Sequence, residues 1–64
     1  MGARHISPEE VLEMQRLYSI HGTFAAVGRI MGRSASSVAK YVKMEGVPRS
    51  LRLAVETLAR EREL

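Results

Sequence analysis

The side chains with chemistry to offer cluster in "GRIMGRSASSVAKYVK", residues 28–43, where Ser34, Ser36 and Ser37 precede Lys40 and Lys43. Hydroxyl and ammonium groups serve either covalent catalysis or anion recognition, and the two need different company. A serine nucleophile requires a base within reach and a third group that orients the base. No such constellation appears. Glu9 and Glu10 belong to a helix start, while Glu56, Glu61 and Glu63 interleave with Arg60 and Arg62 as a charged surface. The chain has no cysteine, and His5 and His21 are too far apart to suggest a metal-ligand pair. No catalytic residue, metal or other cofactor is expected, and no small-molecule ligand. Anion recognition is left. Serine is a mediocre helix former, and a solvent-facing helix chosen for stability alone would use alanine, glutamate or lysine instead.

Charge distribution supports that reading. The net charge of +3 hides an asymmetry: residues 29–52 hold Arg29, Arg33, Lys40, Lys43, Arg49 and Arg52 against Glu45 alone, and both flanks are slightly acidic. A basic band in a small domain points to a polyanion, most often nucleic acid. Stacking platforms for single strands would need exposed aromatics. Tyr18, Phe24 and Tyr41 all fall at core-like positions, so duplex DNA is favoured over single-stranded nucleic acid or RNA.

The elements that must position these residues are four helices. A chain of 64 residues is one domain with a small core. Ser7, Pro8 and Glu10 form a capping box that starts a helix over about 8–21, with Val11, Leu12, Met14, Leu17, Tyr18 and Ile20 as its apolar stripe and Gly22 as its stop. Thr23 caps a second helix to about residue 31, with Phe24, Val27, Ile30 and Met31 inward. Gly32 ends it. A third runs over about 34–44, stopped by Gly46 and Pro48, and a fourth over about 48–62 turns Leu51, Ala54, Val55 and Leu58 inward. Val47 is the only apolar residue between the last two helices, which leaves no material for a β-wing. The expected class is all-α. No apolar run approaches the 18 or so residues of a membrane span and no secretory segment is visible, so a cytoplasmic protein is expected.

Two short helices around a glycine turn, the second basic, are the arrangement of a helix-turn-helix. Gly28 allows close helix approach, Gly32 accepts positive φ in the turn, and Val38 anchors the second helix to the core, with Val27, Met31 and Tyr41 filling the other apolar positions. With Val38 inward, Tyr41 and Val42 lie on the buried side and Ser36, Ala39, Lys40 and Lys43 opposite, with Ser37 at the margin. Ser34 reads as a cap.

In "VGRIMGRSASSVAKYV" the chain resembles the helix-turn-helix of Hin-type DNA invertases and resolvases, a homeodomain-like unit. The resemblance is carried by Gly32, Ser36, Ser37, Val38, Lys40 and Tyr41. It implies that Ser36, Ser37 and Lys40 face DNA. The chain departs from that pattern at Arg33, where an aliphatic residue is usual, and at Gly28, where alanine is. "GVPRSLRLAVETL" is similar to the closing segment of small Cro/repressor-like regulators. Both relatives bind DNA.

These readings converge on a small sequence-specific binder of double-stranded DNA, bacterial or phage, acting as a transcriptional regulator or recombination accessory factor and nucleoid-associated when bound. Ala35, Ser36, Ser37 and Ala39 present small side chains to the major groove, with Lys40 and Lys43 reaching guanine edges or phosphates. Thr23, Arg33 and Ser34 lie at helix N-termini suited to phosphate, and Arg29 and Arg49 are additional candidates for phosphate. Leu53, Thr57 and Leu64, turned away from the inward stripe of the fourth helix, suggest a homodimer contact. The rival is a helix-turn-helix that has kept its fold but binds another protein, as an antirepressor or adaptor does.

Overall fold

A computed structural model describes residues 6–63; Leu64 and His5, discussed above, lie outside the described residues. Three of the four helices begin where a side-chain hydrogen bond replaces a missing intrahelical one. In α1 (Pro8–His21) the Ser7 hydroxyl accepts from the Glu10 amide at 3.1 Å. In α2 (Phe24–Met31) Thr23 does the same for Ala26, and in α3 (Ala35–Lys43) Ser34 does so for Ser37, both at 3.2 Å. Only α4 (Arg49–Arg62) starts without a side-chain cap, on Pro48, whose ring fixes φ at −57° while ψ is still extended at 146°. The protein is all-α, with four helices and no strand among the described residues. None of these helices is long and apolar enough to cross a membrane.

The helix ends follow from backbone sign. Gly22 (φ 78°) and Gly32 (φ 71°) take the left-handed conformation that closes α1 and α2. The end of α3 differs from expectation: Met44, not Gly46, is the capping residue, at φ 59°, and it is the one non-glycine among the described residues with positive φ. Gly46 then turns the chain a second time at φ 67°. A methionine in this conformation carries a steric cost of roughly 1–2 kcal/mol, so the turn is held by something else. Two hydrogen bonds of 3.0 Å hold it: the Glu45 amide donates to the Lys40 carbonyl, closing the turn locally, and Arg52 of α4 donates through Nη2 to the Met44 carbonyl.

α1 is the central element, packing against each of the other three helices, while α2 and α3 pack on each other and α4 packs on α1 alone. Met14, Leu17, Val27 and Val38 form the buried cluster, flanked by Ile6, Tyr18, Phe24, Met31, Tyr41 and Val42. The rings of Tyr18 and Phe24 stack with centroids 4.6 Å apart across the α1–α2 corner. Val11, Val55 and Val47 complete the buried set. Val47 thus fills the core from the connection between α3 and α4.

Two expected core residues are exposed. Ile20 and Ile30 show 61% and 55% of their surface to solvent. The stripe of α1 runs on to Ile20 in the sequence, but that residue lies in the last turn, next to the reversal at Gly22. Ile30 sits between the buried pair Val27–Gly28 and the turn, on the rim of α2's inward face. Periodicity gives direction, not the extent of the surface opposite.

Candidate nucleic-acid interface

The α2–turn–α3 unit owes its tightness to Gly28. A Cβ at this position would lie 2.4 Å from the Arg33 carbonyl oxygen and 3.4 Å from the Ala35 amide nitrogen, so only hydrogen fits. The Gly28 carbonyl in turn accepts from the Arg33 amide at 2.9 Å. Gly28 therefore closes the turn onto α2 as well as admitting a neighbouring helix. With Val38 fully buried, the rotation of α3 about its axis is set.

That rotation divides α3. Ser36, Lys40 and Lys43 are exposed and fall at i, i+4 and i+7, a single stripe along the helix, with Ala35 exposed at its head. Ser37 and Ala39 are half-buried at its margins, so Ala39 lies less squarely outward than its helical-wheel position implies. Ser34 is exposed, and its hydroxyl both accepts from the Ser37 amide and donates to the Ser37 hydroxyl at 3.1 Å. These two serines are thus linked at the head of α3, while Ser36 projects alone.

The lysines lie along aromatic surface. Lys40 Nζ is 5.3 Å from the centroid of Tyr41, and Lys43 Nζ is 5.5 Å from that of Phe24, which belongs to α2. Each ammonium group therefore lies over the face of a half-buried ring, on a lysine that is exposed as a whole. Neither lysine is in an ion pair among the described residues, and the same holds for the exposed Arg29 and Arg49. Thr23 is exposed at the start of α2.

Arg33 has a different environment. Its Nε donates to Glu10 Oε2 of α1, with the two side chains only 13% and 23% exposed. The carboxylate holds the guanidinium above its ordinary pKa. Arg33 is therefore a strut between the turn and α1, and much of the charge counted for the basic band at this point is neutralised internally. Glu10 belongs to this tertiary pair as well as to the helix start. The one sequence signal was the arginine where the pattern carries an aliphatic residue; nothing marked its partner 23 positions away.

Arg52, counted in the basic band, is bonded to the end of α3 as described. On α4, Leu53 (50% exposed) and Thr57 both face solvent. Among the described residues no group of acidic, histidine or cysteine side chains could hold a metal ion. The chain matches no protein-family model, no curated protein and no solved structure.

Proposed function

We propose that this protein binds double-stranded DNA through α3, with Ser36, Lys40 and Lys43 toward the major groove and the linked Ser34 and Ser37 at the head of the helix. The observation that carries the reading is the exposed stripe itself. It joins a short hydroxyl to two lysines with no acidic partner among the described residues, on a helix held across a tight turn. The absence of bulky side chains from the first turn of α3 lets the backbone approach base edges closely, where a hydroxyl can donate or accept and a methyl can meet thymine. Two lysines further along can reach guanine or phosphate. Thr23 and Arg29 flank this face with a helix N-terminus and a cation suited to the backbone.

One module offers few contacts, so specificity is expected from two copies on half-sites about one helical turn, roughly 34 Å, apart. In this reading the protein is a transcriptional regulator or recombination accessory factor. The similarity to Hin-type and Cro/repressor-like domains supports it through the motif residues only.

Titration into random and selected duplexes across a range of salt concentrations tests the proposal. The logarithm of affinity should fall linearly with the logarithm of salt concentration, and selection from random duplexes should return a palindromic site. No binding at low salt would overturn the DNA reading in favour of a protein-binding helix-turn-helix.

A further inference from the structure

We propose that the groove between α1 and α4 is half of a two-fold symmetric contact, in which a second copy of this chain lays its α4 antiparallel across the first. The contact would supply the paired arrangement proposed above, but it is argued from the protein alone and stands without DNA. The groove, about 380 Å³, is walled by Ala54, Thr57, Leu58 and Glu61 of α4 and by Pro8 and Glu9 at the start of α1. The four α4 residues fall at i, i+3, i+4 and i+7. This is the four-cornered hole that a knob from a facing helix enters.

The same helix carries a knob. Leu53 is a large apolar side chain with 50% of its surface exposed, one turn before Thr57. When knob and hole share a helix, a two-fold axis lets each copy's Leu53 enter the other's hole at once, which is the self-complementarity an isologous contact requires. Seating Leu53 beside the partner's Thr57 fixes the register. Four residues back on one helix and four forward on the other, Arg49 meets the partner's Glu61, and symmetry makes that pair twice.

Charge supports the antiparallel sense. The first turn of α4 has no acidic residue and contains Arg49, while Glu61 sits in the last two turns, so each charge opposes the dipole of its own helix. Neither is in an ion pair among the described residues. An antiparallel partner brings each to the end of the other helix that favours it, whereas parallel pairing would set Arg49 against Arg49. Glu9, on the far wall, adds a second acid near the arriving arginine. Arg49 is thereby assigned to the partner copy rather than to phosphate.

Sedimentation equilibrium of the full chain without DNA tests the contact. Wild type should dimerise in the micromolar range, and L53E should be monomeric there with unchanged helical circular dichroism, since Leu53 contributes to an exposed surface. R49E and E61R should each weaken association about tenfold, and the two together in one chain should restore it. A wild type that stays monomeric near 1 mM would overturn the proposal. So would an unperturbed L53E dimer, or a double reversal no better than the single ones. A protein that dimerises this way and ignores duplexes loses only the DNA reading; a monomer that binds duplexes loses only this contact.

Discussion

The Arg33 guanidinium, in the turn that precedes α3, is bonded to the Glu10 carboxylate in the first turn of α1, so an ion pair joins two helix starts 23 residues apart. It enters the structure at the point where α2 gives way to α3. Because both side chains are mostly covered, removing Glu10 leaves the Arg33 guanidinium charged in a poorly solvated place, whereas removing both does not. E10Q and R33M should each lower unfolding free energy by about 1–3 kcal/mol, and the double variant should recover much of it. Urea denaturation of the four proteins closes the cycle; additive losses would mean that the pair contributes nothing as a pair.

Gly28 gives the strongest backbone prediction. G28A gains roughly 1 kcal/mol in helix propensity, yet its methyl would collide with the Arg33 carbonyl, a backbone atom that cannot step aside alone. A net loss of about 2 kcal/mol is expected in thermal or urea unfolding. Gly22 provides the control: a Cβ there meets nothing within 4 Å, so G22A should show only the cost of its positive φ, about 1 kcal/mol.

Arg52 should act on α3 from α4. Its hydrogen bond to the Met44 carbonyl is worth about 0.5–1.5 kcal/mol, and R52A should lose it while leaving the buried cluster intact. Amide exchange should then quicken around residues 44–46 more than in α1. Uniform quickening would show that Arg52 serves overall stability instead.

For DNA binding, S36A and K40A should each reduce selectivity by about 1–3 kcal/mol per lost base contact. The fold should persist, because both positions are exposed and alanine favours helix. K43A should weaken binding to all sequences alike and flatten the salt slope by about one. If all three bind as wild type while R29A does not, α3 is not the reading element.

The elements with local causes were legible in the sequence. Ser7, Thr23 and Ser34 cap helices with amides three residues away, and Gly22 and Gly32 end them through their own φ, so the bounds of α1 and α2 and the start of α3 agree with expectation to within a residue. Val38 was legible as an anchor by helical period. Ile20 and Ile30 were misread because a period cannot say where the opposing surface stops. The Glu10–Arg33 pair and the Arg52 link were invisible, since each depends on how helices meet rather than on either neighbourhood. Met44 was missed because glycine is the residue that positive φ favours, and Gly46 lay two positions on; the Lys40 carbonyl and Arg52 close the turn around methionine instead.

The isolation of α4 from α2 and α3 also governs how disturbance travels through the molecule. Apart from the Arg52 hydrogen bond and the short connection through Val47, whatever happens on the outer surface of α4 reaches α3 through α1. Val11, Met14 and Leu17, the buried residues of α1, are therefore a shared axle: a shift of α1 along its length would carry the helices packed on either side of it together.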